Sequence, residues 1–253
     1  MASTSTSAPA LLSQHVHDGK SHLLLCASGS VATIKIPNII TALSHHPRLS
    51  IRLILTAPAA HFLAGQAAEQ PTLSSIRDLP NVDGVYLDED EWAEPWKRGG
   101  KILHIELRRW ADVMVVAPLS ANTLAKMAGG LCDNLLLSTM RAWDTTGLID
   151  GLRATPDAAA EQADGRAVSV TARKVIVVAP AMNTAMWSHP VTKQHMKLLE
   201  GEWNVENGGW IQILRPVEKE LACGDTGSGA MADWKSIVKV IEEGLGLKSS
   251  GST

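Results

Sequence analysis

The sequence lacks several features of proteins that bind nucleic acid, cross membranes or depend on disulfides. Its 253 residues include only three cysteines, no long block of lysine or arginine, and no long apolar run. The odd number and wide spacing of Cys26, Cys132 and Cys223 exclude a disulfide framework and a zinc knuckle. We expect reduced thiols, with Cys26 and Cys132 buried because both lie in or beside apolar runs. A formal net charge of -3 without a basic block argues against nucleic-acid binding. A membrane-spanning helix would need about 20 apolar residues, and the sequence contains no apolar run of that length.

The composition is that of a globular chain, with 45% hydrophobic and 19% charged residues. The first residues lack the charged start and apolar middle of a secretory signal, so we expect a cytoplasmic protein with a disordered tail over 1–20. A single domain is predicted over 21–245, followed by a C-terminal tail over 246–253. Residues 144–173 are rich in Ala, Asp, Gly and Thr without apolar periodicity, which predicts a mobile surface insertion.

Apolar runs and helix-like stretches alternate along the chain. Strands buried on both faces are predicted at His22–Ala27, Ser50–Leu55, Val113–Ala117 and Lys174–Ala179, with weaker candidates around Val85 and at Trp210–Leu214. Helices are predicted at Val31–Leu43, Ala57–Ala64, Asp133–Trp143, Ser188–Leu199 and Asp233–Glu243, and another between Ser120 and Gly129. This alternation predicts a parallel sheet with helices on both faces.

Three polar or glycine-containing turns follow predicted strands, at Ser28–Ser30, Pro118–Thr123 and Pro180–Asn183. Ligands of such sheets bind beyond the carboxyl ends of the strands, so these turns predict a site. Gly29 and Ser30 suit a phosphate at a helix start, although an ordinary tight turn is the simpler explanation. Ser120 fits a phosphate ligand or a helix N-cap equally, and Asn183 fits a carboxylate-binding amide or an asparagine that satisfies its own turn. The absence of a G-x-G-x-x-G motif favours a mononucleotide over a dinucleotide.

Two further segments carry groups suited to proton transfer. A helix that begins near His104 places Arg108 one turn along and Arg109 beside it, and a histidine near an arginine and an anion is a candidate general base. With nine histidines in the chain, a surface or capping role is the simpler alternative, as is a solvated face for the arginines. The glycine-rich segment Ala222–Met231 suits a flap that delivers Cys223, although no neighbouring histidine or lysine marks a reactive thiol.

Six segments, taken together, resemble the homo-oligomeric flavin-containing cysteine decarboxylases. They are GSVATIK (Gly29–Lys35), LHIELRRWADVMVVAPLSANTLAK (Leu103–Lys126), CDNLL (Cys132–Leu136), MRAWD (Met140–Asp144), PAMNTAMW (Pro180–Trp187) and ACGDTGSGAM (Ala222–Met231). The resemblance covers most of the range from Ser21 to about Gly244 and is absent from the N-terminal tail and the Asp144–Arg173 insertion. It implies a flavodoxin-like, Rossmann-like three-layer α/β sandwich, assembled as a homotrimer with FMN at the subunit contacts, and it implies neither a nucleic-acid nor a membrane partner.

The resemblance also implies roles for individual residues, and no metal ligand among them. FMN would be bound by Gly29, Ser30, Val31, Thr56, Ser120, Ala121, Asn122, Thr123 and Ala142. His104 matches the catalytic histidine of the family and Cys223 the flap cysteine. Asn183 matches the residue that grips the substrate carboxylate, and Arg109, Met186 and Ala222 would contact the substrate beside it.

The implied reaction is the decarboxylation of 4'-phosphopantothenoylcysteine to 4'-phosphopantetheine in coenzyme A biosynthesis. In this scheme FMN oxidises the thiol-bearing carbon, and carbon dioxide then leaves to give a stabilised enethiolate. His104 would act as the base in the early steps, and Cys223 would donate a proton as hydride returns.

Other members of the same fold offer alternative functions. One is a non-enzymatic regulatory subunit, either a protein phosphatase inhibitor or a partner in a mixed trimer. The joint presence of His104, Asn183 and Cys223, with a short C-terminal tail that is not acidic, favours an enzyme. The other is a flavin prenyltransferase or a peptidyl-cysteine decarboxylase, against which Cys223 and the HIELRRWAD segment argue.

Overall fold

A computed structural model describes residues 18–150, 173–220 and 226–247 of the chain. The strands are β1 (Ser21–Ala27), β2 (Leu49–Leu55), β3 (Val82–Tyr86), β4 (Val113–Leu119), β5 (Ile176–Pro180), β6 (Ile211–Ile213), β7 (Val217–Glu220) and β8 (Thr226–Ala230). The α-helices are α1 (Ile36–Ala42), α2 (Ala57–Ala60), α3 (Leu73–Arg77), α4 (Leu103–Trp110), α5 (Ala121–Ala128), α6 (Leu135–Arg141), α7 (Thr184–Ser188), α8 (Pro190–Glu200) and α9 (Trp234–Gly244). Short 3-10 helices lie at Val31–Lys35, His61–Leu63, Asp88–Trp92 and Val205–Asn207.

The central sheet has six parallel strands in the order β3-β2-β1-β4-β5-β6. Every residue of β1, β2, β4 and β5 is buried, as expected for apolar strands covered on both faces. The chain builds outward from β1 through β2 to β3, then returns to place β4 on the other side of β1. The junction between β1 and β4 is therefore the point where the strand order reverses, which is where ligands of open α/β sheets bind.

The two faces of the sheet carry separate hydrophobic cores, because successive side chains of a strand point in opposite directions. Leu23, Leu25 and Ala27 of β1 pack in the core that contains α1 and α9. Leu24 and Cys26 pack in the core that contains α4, α5, α6 and α8. The predicted three-layer α/β sandwich is confirmed.

Three predicted helices are divided: Ala57–Ala64 continues from α2 into a 3-10 helix, and a proline accounts for each of the other two breaks. Val31–Leu43 consists of a 3-10 helix and α1, with Pro37 in the first turn of α1, where the missing N–H costs no hydrogen bond. The stretch expected at Ser188–Leu199 consists of α7 and α8, which meet at His189. His189 has an extended ψ of 138° because the residue before a proline is disfavoured in the helical region.

The predicted insertion at 144–173 lies mostly outside the described residues, but its first part is ordered around Asp144. The buried Asp144 carboxylate accepts hydrogen bonds from the backbone N–H groups of Thr146, Gly147, Ile149 and Asp150. Burial alone would raise the pKa of Asp144, but the hydrogen bonds it receives hold that pKa well below its usual range. No helix in the described parts of the chain is long and apolar enough to span a bilayer.

Candidate active site

Ser28 joins the turn after β1 to the turn after β4. Its hydroxyl donates to the carbonyl of Pro118 at 3.1 Å and accepts from the backbone N–H of Ser120 at 2.8 Å. Its own N–H also donates to Pro118 at 3.0 Å. Ser28 is buried, and its hydrogen bonds fix the separation of the two turns at the point where the strand order reverses. No role was predicted for its side chain, because its partners are about 90 residues away in sequence.

The turn at Gly29 requires glycine because the turn after β2 lies against it. A Cβ at Gly29 would lie 2.6 Å from Cβ of Pro58, which is closer than non-bonded carbons approach. Thr56 begins α2 as its N-cap, and its backbone N–H donates to Ala27 at 3.1 Å. Ser30 caps the following 3-10 helix. The structure therefore brings the predicted cofactor residues of β1 and β2 to one edge of the sheet.

Ser120 has the N-cap role that the sequence left open. Its Oγ accepts from the backbone N–H of Thr123 at 3.3 Å and donates to the Thr123 hydroxyl at 3.1 Å. Both hydroxyls are thereby buried and engaged, whereas Asn122 is exposed and Ala121 is partly exposed. The start of α5 can offer a ligand the backbone N–H groups of Ala121 and Asn122, which have no partner within a helix, together with the Asn122 amide.

Asn183 follows β5 and caps α7 with one end of its amide. Oδ1 accepts from the backbone N–H of Met186 at 2.8 Å. Within the described residues, its Nδ2 has no hydrogen-bond partner, and the side chain is exposed. The oxygen therefore satisfies the turn as one interpretation expected, whereas binding of a carboxylate by the two remaining N–H groups stays a prediction. Met186 lies in α7 and is also exposed.

His104 pairs with the carboxylate of Glu91, a residue that was not predicted from the sequence. Its Nδ1 lies 2.7 Å from Oε1 of Glu91, and its backbone N–H donates to Oε2 at 3.2 Å. An ionised carboxylate can only accept, so Nδ1 carries the proton and Nε2 is the nitrogen that can take one. The side chain of Glu91 is only 5% exposed, and this fixes the orientation of the ring. The signal in the sequence was the acidic 3-10 helix Asp88–Trp92, 13 residues upstream.

The two arginines of α4 have different surroundings. Arg109 pairs with Glu106 at 2.9 Å and is 45% exposed, in keeping with the solvated face considered for it. For Arg108 that interpretation is wrong, because its guanidinium is largely buried, lies 3.0 Å from Oδ2 of Asp150, and donates to the carbonyl of Ala142 at 2.6 Å. Arg108 thus holds the segment that begins at Ala142, a predicted flavin contact.

These groups lie in two places. The residues after β1, β2, β4 and β5 converge on one edge of the sheet, because the carboxyl ends of parallel strands lie together. His104 lies in the first turn of α4, which leads into β4, so it lies toward the same edge but in the helical layer formed by α4, α5, α6 and α8. No hydrogen bond or ion pair among residues 18–150, 173–220 and 226–247 joins His104 to Ser120 or Asn183.

The cysteines differ from expectation in one respect. Cys26 is buried as predicted, and burial raises the pKa of its thiol far above the usual range, so it is inert. The prediction that Cys132 is buried is wrong, since it is exposed in the loop between α5 and α6, beyond the apolar helix that precedes it. Ala222 and Cys223 lie outside the described residues.

The antiparallel hairpin β7–β8 flanks the segment that contains Cys223 and packs against the Asn183 turn. The backbone N–H of Met182 donates to the carbonyl of Gly229 at 3.0 Å. A Cβ on Gly229 would lie 2.4 Å from the Met182 carbonyl, so only glycine allows this approach. A cavity of about 510 Å³ lies between the hairpin and α8, and its lining includes Trp187, Lys193, Lys197, Arg215 and Ser228.

The fold and this site define a class of protein. A parallel sheet in the order 3-2-1-4-5-6, with a glycine turn and a capped helix start at its switch point, is the doubly wound, Rossmann-like form of the three-layer α/β sandwich, and no dinucleotide motif accompanies it. The Flavoprotein family model matches residues 11–246, and the chain belongs to this family.

Named proteins similar to this chain include an Arabidopsis thaliana protein called phosphopantothenoylcysteine decarboxylase. It is 41% identical over 237 residues, which cover 92% of this chain and 91% of the relative. A solved structure of a PPC decarboxylase mutant complexed with pantothenoylaminoethenethiol has a TM-score of 0.64 and 40% identity, covering 88% of this chain and 97% of its own. The solved structure of the FMN binding protein AtHal3 has a TM-score of 0.63 and 40% identity, and the match covers 91% of this chain and 99% of the AtHal3 chain.

Proposed function

We propose that this protein is an FMN-dependent decarboxylase that converts 4'-phosphopantothenoylcysteine to 4'-phosphopantetheine, a cytoplasmic step of coenzyme A biosynthesis. The observation that carries the proposal is the divided role of Asn183: its oxygen caps α7, and its exposed amide nitrogen has no partner among the described residues. An uncharged donor pair at a strand end suits a carboxylate that must later leave as carbon dioxide. The similarity to decarboxylases over most of the chain supports this substrate class.

The switch-point residues fit FMN. Gly29 allows close approach of backbone and ligand, and Ser30 and Ser120 each begin a helix whose N–H groups favour a phosphate. We assign the phosphate end to Gly29, Ser30 and Val31, and the remaining contacts to Thr56, Ala121, Asn122, Thr123 and Ala142. When bound, FMN supplies the two-electron oxidation that makes loss of carbon dioxide feasible.

The protein's own residues supply proton transfer and orientation. His104, with Nδ1 held by Glu91, presents Nε2 as the base. Cys223 donates a proton from the segment between β7 and β8, and the docking of this hairpin on the Asn183 turn supports that role. We assign Arg109, Met186 and Ala222 to the substrate as well. Arg109 lies near the end of α4, where its carbonyl accepts from Lys174 before β5, so it would reach a substrate at Asn183 from a neighbouring subunit. Lys193 and Lys197 give the neighbouring cavity positive charge, which suits a phosphorylated substrate.

We also propose that the single domain over 21–245 assembles as a homotrimer, with FMN at the contacts between subunits. Val31, beside the proposed phosphate site, is 39% exposed, and Leu148 and Ile149 are 88% and 68% exposed. Exposed apolar side chains of this size favour burial against another subunit. Such a contact would also bring residues of two chains together at one flavin.

The experiment is a decarboxylation assay on the purified full-length protein. We expect a yellow protein with a flavin spectrum that releases carbon dioxide from 4'-phosphopantothenoylcysteine. A peptide ending in cysteine serves as the matched substrate and should give no turnover. A colourless protein that takes up no added FMN, or turnover of the peptide alone, would contradict the proposal. Inhibition of a protein phosphatase without carbon dioxide release would favour the regulatory alternative.

A further inference from the structure

Two histidines and a glutamate form a cluster on the sheet face opposite α4. His45 and His46 lie in the turn after α1, and Glu242 lies in α9. Nε2 of His46 is 3.0 Å from Oε1 of Glu242, and Nε2 of His45 is 3.6 Å from the same oxygen. All three ligand-type atoms lie within 4.8 Å of one another. The catalytic scheme proposed above uses none of these residues.

The hydrogen bonds of His45 determine which of its nitrogens can bind a cation. Nδ1 lies 2.8 Å from the carbonyl of Ala42, and because a carbonyl can only accept, Nδ1 carries the proton. In the neutral ring, Nε2 then directs a lone pair toward the Glu242 carboxylate. A cation placed between these two lone-pair atoms, 3.6 Å apart, would be bound by both of them.

The backbone around the cluster is held in place before any ligand binds. The side chain of Asn81 donates to the carbonyls of Leu43 and His46 at 3.2 and 3.1 Å, which fixes the turn that carries both histidines. Glu242 follows Ile241, which is fully buried in the core below α9. His46 and Glu242 are mostly buried, whereas His45 is partly exposed and leaves a route for an ion to enter.

The geometry points to a zinc-type metal site, and we propose that His45 Nε2, His46 Nε2 and a Glu242 oxygen bind one Zn²⁺ per chain. In a tetrahedral zinc site with bonds of about 2.1 Å, neighbouring ligand atoms are about 3.4 Å apart. The separations of 3.0 and 3.6 Å lie on either side of that value. Imidazole nitrogen and carboxylate oxygen are common zinc ligands, and the His45 Nδ1–H bonded to a carbonyl is the usual outer-shell contact of a ligating histidine.

The site has a structural role in this proposal. It joins α9 to the turn after α1 in the helical layer that carries neither His104 nor Asn183. Bound Zn²⁺ therefore stabilises the fold by mass action and leaves the decarboxylation chemistry unchanged.

The test is Zn²⁺ titration by calorimetry on EDTA-treated, dialysed full-length protein. We expect one Zn²⁺ to bind per chain and to raise the melting temperature. Glu242→Gln keeps the side-chain size and helix, and His45→Ala changes a partly exposed ring, so both should fold. Each should weaken binding by at least about tenfold, the size of effect seen even for outer-shell changes, with carbon dioxide release unchanged. His195→Ala, in α8 on the other face, is the control and should bind Zn²⁺ normally.

The alternative is a charged histidine–glutamate pair that holds no metal. It predicts no stoichiometric Zn²⁺ binding, or binding that His45→Ala and Glu242→Gln leave unchanged because the ion sits elsewhere on the chain. Either result overturns the proposal.

Discussion

His104 and Glu91 form a partly buried pair in which Nδ1 of the imidazole lies 2.7 Å from a carboxylate oxygen. The carboxylate also accepts the backbone N–H of His104, so it fixes the ring and its tautomer together. Glu91 is thereby a positioning residue for the proposed base. It lies in the 3-10 helix Asp88–Trp92, which packs against the start of α4.

Replacing Glu91 by Gln should lower kcat with little change in KM. The amide is nearly the same size but no longer requires the proton to be on Nδ1, and general-base catalysis is worth about 10²–10⁴-fold. We expect kcat to fall at least about tenfold while FMN binding stays normal. Steady-state kinetics and the flavin spectrum measure both quantities, and Glu91→Asp should restore part of the rate.

The reference for that experiment is His104→Asn, which should retain FMN but release no carbon dioxide. Normal turnover by His104→Asn would exclude His104 as the base. An equal loss in Glu91→Gln and Glu91→Asp, accompanied by loss of FMN, would indicate only a structural role for Glu91.

Asn183→Asp separates substrate binding from helix capping. Aspartate is as good an N-cap as asparagine, but its charge repels the substrate carboxylate and removes both N–H donors. Since a hydrogen bond to a charged group is worth about 1.5–3 kcal/mol, kcat/KM should fall at least about 10- to 100-fold. Asn134→Asp, at the N-cap of α6 where the side chain accepts from Leu137, is the matched control and should remain active. Equal activities of the two variants would argue against the carboxylate role.

Cys223→Ser should release carbon dioxide but accumulate an oxidised enethiol instead of 4'-phosphopantetheine, because serine is a much weaker proton donor than a thiol. Product analysis by mass spectrometry distinguishes the two compounds. The exposed Cys132 offers a control, and Cys132→Ser should give normal product. Normal product from Cys223→Ser would show that the flap cysteine is not the donor.

Gly29→Ala should reduce FMN affinity at least about tenfold. The added Cβ would meet Pro58 at 2.6 Å and push apart the turns after β1 and β2, and overpacking of this kind typically costs about 1–3 kcal/mol. Fluorescence titration with FMN measures the change. Gly244→Ala adds the same methyl group where nothing lies within 4 Å and should bind FMN as wild type does. Unchanged affinity in Gly29→Ala would remove the phosphate turn from the proposed site.

Asp144 should make stability depend on acid pH. The pKa of Asp144 is lowered in the folded state. The ionised carboxylate therefore stabilises the fold at pH values above its pKa in the unfolded chain, about 3.9, and this stabilisation is lost as the pH falls below that value. Asp144→Asn should therefore unfold at lower urea concentration than wild type at pH 7, with the difference narrowing toward pH 3. Urea midpoints at both pH values test this, and a difference independent of pH would contradict it.

The fold was largely predictable because its signals are local. Each long strand is a continuous apolar run, and the alternation of runs with helical stretches leads to a parallel sheet. The predicted helices Val31–Leu43 and Ser188–Leu199 are each interrupted at a proline. A proline can begin a helix or end one, depending on its position relative to the helix start. At Pro37 the chain begins a new helix, and before Pro190 it ends one.

The candidate site residues could be predicted only where they lie in turns after strands or in family motifs. Gly29, Ser120 and Asn183 were identified because each follows a strand, whereas Ser28, Glu91 and the buried state of Arg108 were not. Their roles depend on partners that are distant in sequence or in another element, such as the Ser28 hydroxyl and the Ser120 N–H, 92 residues apart. The pairing of His45 and His46 with Glu242 across nearly 200 residues is of the same kind.

The sequence by itself determined the strands, the layered α/β class and the family motifs, because apolar periodicity and turn chemistry act over a few residues. Only the tertiary structure decided which nitrogen of His104 is held by Glu91, which end of the Asn183 amide is available, and which thiol is exposed. Those properties depend on the positions of hydrogen-bond partners that the folding of the sheet brings together.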